Sequence, residues 1–301
     1  MPTIGLGIQL WAQNTDWPSY LAAARRVDEL GYDHLWTWDH LVAAVGDPDR
    51  PVFEGYTSLA AWAAVTSRVR LGLLVGANTF RNPALVAKMV STIDHISGGR
   101  AILGLGGGWH EREHAAFGVE FGRGFGDRLE WLEEALQVVR PLMAGAEVTH
   151  EGPRYRTDRL RLAPPPIQER VPIMVGGVGE KKSLRSVARH ADIWNAQLEL
   201  AEAPHKMEVL RAHCSDVGRD PAEIELTYNC KIVIRDREAD ARVVLDDQLA
   251  ANGLEPHNAG ASFWAGTVEA IAERLAAFVD AGFQGFTIEE MAPFDEETLV
   301  S

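Results

Sequence analysis

The chain of 301 residues is 46% hydrophobic, enough apolar material for one large core of the size that α/β barrels reach undivided. Its formal net charge of -14, with no dense cluster of lysine or arginine, excludes broad docking onto nucleic acid. Two cysteines form no disulfide framework and no segment approaches the ~18 uninterrupted apolar residues of a membrane span, so a soluble, cytoplasmic protein is expected, with no membrane partner.

Short apolar runs alternate with amphipathic stretches, the pattern of a parallel sheet built from βα units. The first strand, Ile4 to Leu10, precedes a helix from about Pro18 to Leu30, with Asp16 near its cap and Gly31 as its left-handed exit. His34 to Trp38 and Leu71 to Val75 are the second and third strands. Asn82 then reads as an N-cap ahead of Pro83, opening a helix whose apolar face would be Leu85, Met89, Ile93 and Ile96 and which Gly98 and Gly99 end. Ile102 to Gly106 is the fourth strand.

Val148 to Leu162 alternates enough to be a hairpin inserted ahead of the fifth strand, Ile173 to Gly176. Asp192 to Asn195, Leu226 to Ile234 and Gly285 to Glu289 complete the set. The segment from Asp28 to Asp33 is echoed by Val279 to Gln284, each ending a helix and feeding a strand, as repeated βα units would leave. Eight strands at these intervals predict a closed (β/α)8 TIM barrel in a single domain over 1–301, because open doubly wound sheets usually stop at five to seven. The least regular stretches are 42–56, 109–127, 148–169 and 252–266.

Barrel enzymes build their sites at the carboxyl ends of the strands. Trp11, Trp38, Trp109 and Trp194 each fall at or just past such an end, and would wall a flat apolar cleft for a planar ring or an aromatic substrate. Trp36 is expected to plug the barrel, and Trp62 and Trp131 are helical core candidates. Asp39 and His40 follow strand two, where an imidazole and a carboxylate can move a proton or balance charge. The turn Gly176-Gly177-Val178-Gly179, between a strand and a helix-like stretch from Lys181 to His190, points backbone N–H groups and a positive helix end at one spot, which suits a phosphate.

His110-Glu111-Arg112-Glu113-His114 matches the H-E-x-x-H zinc signature, with Glu133 or Glu134 as a conceivable third ligand, and would make a zinc hydrolase. The glycines on both sides, Gly106 to Gly108 and Gly118 to Gly124, argue against the regular helix that motif needs, and no metal is expected. Arg81, Arg112, Lys181 and Lys182 are candidates to attract an anionic cofactor tail.

Four segments, Leu35 to His40, Leu71 to Lys88 with its Thr79 to Ala84 core, Ile102 to His114, and Met174 to Asn195, resemble the bacterial-luciferase-like superfamily, in particular its branch of oxidoreductases that use the deazaflavin coenzyme F420. The resemblance implies that His40 lies beside the reactive ring, with Asp39 a cofactor contact. It implies a non-proline cis peptide at Leu74-Val75 followed by Gly76, backing the ring. It implies that Gly106, Gly107 and Gly108 line the cofactor and that Gly176, Gly177 and Val178 hold its phosphate. The sequence departs from relatives at Trp109, where some sugar-phosphate dehydrogenases carry an acid, and at Val178, where many carry serine. The expected activity is hydride transfer between F420 and a small organic substrate, in a possible homodimer. The alternative within the same fold is an FMN-dependent monooxygenase using reduced flavin and dioxygen, and a non-catalytic cofactor-binding barrel is a third possibility.

Overall fold

The computed structural model describes residues 4–255 and 260–301, so part of the irregular stretch 252–266 lies outside the described residues. β1 (Gly5–Leu10), β2 (His34–Thr37) and β3 (Arg70–Leu73) are connected by α1 (Trp17–Leu30) and α2 (Gly55–Val65). A cis peptide joins Leu74 to Val75, and β4 (Gly76–Ala77) resumes the line of β3 beyond it. α3 (Pro83–Ser97) then leads to β5 (Leu103–Gly106), which is followed by α4 (Glu111–Phe117) and α5 (Phe125–Met143).

The hairpin is present as antiparallel β6 (Val148–Glu151) and β7 (Arg156–Leu160). The ring continues through β8 (Ile173–Gly176), α6 (Ser183–His190), β9 (Ile193–Ala196), α7 (Ala203–Asp216) and β10 (Glu225–Ile234). It ends with α8 (Glu238–Ala251), β11 (Phe263–Gly266), α9 (Val268–Asp280), β12 (Gly285–Glu290) and α10 (Glu296–Val300).

All pairings in the main sheet are parallel, in the order β3-β2-β1-β12-β10-β9-β8-β5-β4. The circle closes where the Leu71 amide donates to the Arg100 carbonyl at 3.0 Å and the Ile102 amide to the Leu71 carbonyl at 2.8 Å. The result is a (β/α)8 TIM barrel, as the alternation of runs predicts.

The helix ends follow their sequence signals. Asp16 accepts from the Ser19 amide at 2.8 Å to cap α1, Asn82 accepts from the Ala84 amide at 2.9 Å to cap α3, and Gly31 and Gly98 take left-handed conformations at the exits. The expected face of α3 is corrected. Val86, Ala87, Val90 and Ile93 are buried, whereas Leu85 is 53% and Ile96 44% exposed. A helix turns about 100° per residue, so a stripe read slightly off keeps Ile93 buried and Met89 half-buried against the core and leaves Leu85 and Ile96 outside.

Strand parity decides which side chains reach the lumen. Trp36, Leu74, Ile102, Met174 and Ile193 form one buried cluster inside the ring, while their chain neighbours Leu35, Leu103, Ile173 and Trp194 pack outward against the helices. Trp36 therefore plugs the barrel and Trp62 sits in the outer core, as expected. Trp131 does not: it is half-buried, with the Arg154 guanidinium 3.5 Å from its ring centroid.

β11 is unanticipated. β10 outruns its neighbour β9, which pairs only with Glu225 to Tyr228, and β11 pairs with Lys231 to Ile234 on the length that remains. Its four residues carry no alternation for a sequence reading to find.

Candidate active site

A cavity of about 490 Å³ opens at the carboxyl ends of the strands. A larger surface cleft, about 1020 Å³, runs between α1 and the C-terminal segment beside Arg26 and Phe294. It is the smaller cavity that gathers strand-end chemistry: Trp11, Trp38, Asp39, His40, Val75, Gly76, Gly106, Gly107, Gly108, Trp109 and Gly176 all line it.

Val75 is the hub of one wall. Cβ atoms built on Gly106 and Gly176 would lie 2.6 and 3.2 Å from its methyl groups, and one on Gly76 would lie 3.0 Å from the Gly104 carbonyl oxygen. Glycine at these positions lets three strand ends meet closely without displacing Val75 or the Gly104 carbonyl, and the bare backbone makes the wall flat. Gly108, at φ +73°, is favoured as glycine by its own backbone.

His40 is held from behind. Its Nδ1 lies 3.0 Å from Glu113 Oε1, and the second carboxylate oxygen accepts from the Leu41 amide at 2.9 Å. Burial opposes ionisation of Glu113, yet the hydrogen bond and charge of His40 and the Leu41 amide outweigh it, and the carboxyl sits below its ordinary value. An ionised Glu113 only accepts, so Nδ1 carries the proton and Nε2, with no hydrogen-bond partner among the described residues, is the atom free to exchange one with a ligand. Trp38 meets the imidazole edge-on at 5.1 Å and Trp109 at 5.3 Å.

Asp39 lines the cleft, but its carboxylate is already engaged. Arg81 donates to both oxygens, at 2.7 and 3.0 Å, and the Ala77 amide adds a third bond at 3.0 Å. Burial pushes the Asp39 carboxyl up against that pull, while Arg81 is held charged by Asp39 and Glu54. The pair ties the end of β2 to the turn after β4. Arg81 is thereby spent internally, as is Lys182, which donates to the Gly126 carbonyl at 3.0 Å and to Glu130 at 2.6 Å. Lys181 and Arg112 remain exposed.

The glycine turn sits at the edge of the cleft. Gly176 lines it, while exposed Gly177, at φ +127°, and half-buried Val178 stand just outside. α6 starts at Ser183 without a side-chain cap. Ser183 presses on the turn, its Oγ 2.9 Å from where a Gly179 Cβ would be. Trp194 is corrected. It is fully buried and off the cleft, and its indole N–H donates to the Gly177 carbonyl at 2.8 Å, bracing the turn from beneath. Parity turns Trp194 outward and Ile193 inward.

The zinc motif does lie on a helix, α4 with His110 as its N-cap, so the expectation drawn from its flanking glycines is corrected; it is the bonding of its side chains that keeps its histidines apart. His114 is fully buried with both ring nitrogens in use, Nε2 at 2.6 Å from Thr79 Oγ1 and Nδ1 at 2.8 Å from the His110 carbonyl. Glu133 bonds Ser186, Arg189 and His190, and Glu134 bonds the hairpin amides of Arg154 and Tyr155. His110 and His114 therefore share no centre. The groups that do approach each other are His40, His110 and Glu113, whose ligand atoms lie within 4.8 Å.

Glu113 is the functional candidate that the sequence reading passed over. It was hidden inside the zinc pattern. Its spacing, seven residues after Gly106, brings the carboxylate back over strand two.

The luciferase-like monooxygenase family model matches residues 6–285. The chain belongs to that family. In sequence it is 29% identical over 255 residues to an F420-dependent hydroxymycolic acid dehydrogenase of Mycobacterium tuberculosis, covering 84% of this chain and 69% of that protein. In fold it is similar to an F420-dependent secondary alcohol dehydrogenase solved with an F420-acetone adduct, at TM-score 0.85 and 19% identity, over 99% of this luciferase-like chain and 96% of that one. It is also similar to the oxygenating constituent of 3,6-diketocamphane monooxygenase of Pseudomonas putida, solved with FMN, at TM-score 0.76 and 16% identity, over 100% and 96% of the two chains. The chain is thus similar in sequence to an F420-dependent dehydrogenase and in fold to both an F420-dependent and an FMN-bound enzyme. Among the described residues, no helix is long and apolar enough to cross a membrane.

Proposed function

We propose that this luciferase-like protein is an F420-dependent oxidoreductase acting on a small organic substrate. The carrying observation is the His40–Glu113 pair at the mouth of a glycine-walled cleft, an acid–base couple placed where a planar ring would lie. The residues fit such a group: the missing β-carbons at Gly106 and Gly176 leave a flat wall around Val75. When bound, the deazaflavin supplies the hydride chemistry.

The chain's part is orientation and proton handling. Val75, Gly106 and Gly107 shape the face on which the ring rests; in the Gly176-Gly177-Val178 turn the Gly177 amide already donates to the Asn195 carbonyl at 3.2 Å, so the Val178 and Gly179 amides with the start of α6 are the N–H groups offered to an anionic linker. Val178 gives no hydroxyl, and Ser183 is the hydroxyl nearest the turn. Trp38 and Trp109 flank His40 and reduce water around it. His40 Nε2 gives a proton to, or takes one from, the substrate oxygen or nitrogen, and Glu113 balances the imidazolium through Nδ1. Trp109 replaces the acid that some relatives carry, and Glu113, four residues along on α4, supplies a carboxylate beside His40 instead.

The FMN reading shares the cleft and is supported by the fold likeness to an FMN-bound monooxygenase. Parallel fluorescence and calorimetric titrations with F420 and FMN separate the two. Saturable binding of F420 is expected, and tight FMN binding without measurable F420 affinity overturns the proposal.

A further inference from the structure

We infer that Glu289, Asn229, Trp11 and Trp38 form a subsite for a protonated amine, so that the substrate is a cationic organic amine. The inference deepens the proposed function and rests on the cleft being the substrate site. Glu289, the penultimate residue of β12, lines the cleft, yet is only 8% exposed. Its oxygens accept from the Trp11 indole N–H at 3.1 Å and from the Asn229 amide, two neutral donors. No lysine, arginine or histidine among the described residues pairs with it. Lys231, on the adjacent strand, is committed to Glu290 at 3.0 Å in a fully buried pair.

A buried carboxylate without a cation is costly, and it must take up a proton or receive a positive charge from outside. Burial does push the Glu289 carboxyl up, against the Trp11 hydrogen bond and the charge of Lys231. Asn229 Oδ1 is also buried without a partner. The floor of the cleft therefore offers an excess of acceptors, the spare lone pairs of Glu289, while the orphaned Asn229 Oδ1 is itself sealed from the cleft. A head group with several N–H donors and one positive charge meets both needs. A hydroxyl would satisfy one acceptor and leave the charge, and a carboxylate would be repelled.

The walls agree with that choice. Trp11 and Trp38 lie with ring centroids 4.5 Å apart and planes at 32°, presenting two indole systems beside the acidic floor. Indole faces attract cations, most strongly where water is excluded. The net charge of -14 favours the approach of a cation over an anion.

The test is a tryptophan-fluorescence titration of the full chain with benzylamine hydrochloride, benzyl alcohol and sodium benzoate, with F420 and FMN titrated separately. Benzylamine is expected to bind saturably and roughly tenfold or more tighter than benzyl alcohol, a factor equal to about 1.4 kcal/mol, with no binding of benzoate. Glu289→Gln should abolish that preference while leaving cofactor affinity unchanged. Equal binding of amine and alcohol by the wild-type chain overturns the inference, whether or not the variant folds, as does an amine preference that survives in a folded Glu289→Gln protein. Failure of both F420 and FMN to bind beside an intact amine preference sinks the cofactor reading and leaves the subsite standing.

Discussion

Val75 fills the space that a β-carbon on Gly106 would need: its Cγ2 lies 2.6 Å from that position, closer than real carbon contacts come. Two neighbouring glycines therefore fail differently when substituted. Gly106→Ala pushes Val75 into the cleft and should weaken cofactor binding roughly tenfold at a modest stability cost, because a side chain can shift. Gly104→Ala sets a methyl 1.9 Å from the Leu73 carbonyl oxygen, which is backbone, and should cost the upper end of the ~1–3 kcal/mol typical of overpacking. Thermal melts and cofactor titrations of the two variants distinguish these outcomes.

Removing the groups at the mouth should separate binding from turnover. His40→Ala is expected to lower turnover by roughly 10²–10⁴-fold, the range for general acid–base catalysis, with little change in cofactor affinity. Glu113→Gln should lower it less and shift the pH–rate profile, because the imidazolium loses the carboxylate beside Nδ1. Wild-type rates for His40→Ala at saturating cofactor, measured by stopped flow, would contradict the assignment.

Arg81→Met leaves Asp39 buried with only the Ala77 amide. Breaking one side of a buried ion pair costs roughly 3–5 kcal/mol, so chemical denaturation should show a loss of that order, and the cleft should lose cofactor affinity as the β2 and β4 ends separate.

Glu133 sets part of the acid limit. Burial opposes its ionisation, but His190, Ser186 and Arg189 hold its carboxyl down to about 2 from the usual 4.5. A carboxyl depressed in the folded state stabilises fully above its unfolded value and loses that contribution as pH falls through the folded one. Wild-type stability should therefore fall between about pH 4.5 and pH 2, and Glu133→Gln should flatten that slope in urea melts taken across the window.

The barrel was legible because local signals agreed with the global fold. Asp16, Asn82, Gly31 and Gly98 mark helix ends by capping chemistry that needs no tertiary partner. Most of the cleft was legible for a related reason: a strand end is a place, and Trp38, His40, Gly106 and Gly176 are read from it. What could not be read was direction. Trp194 also stands at a strand end, but a single step of parity turns it from the mouth to the helix layer. Glu113 reaches His40 across 73 residues, and nothing local announces such a pairing. β11 exists only because β10 is longer than β9, a mismatch visible once both are in place.

That mismatch divides labour by height. Low on the barrel β10 is flanked by β9 and β12, whereas near the rim β11 takes over from β9, bringing Phe263 to the cleft. The foundation courses and the parapet are thus laid by different segments of chain. A change of the Phe263 side chain that keeps its backbone paired with Lys231 can therefore reshape the rim, while the lower course of β9 against Glu225 to Tyr228 stays as it is.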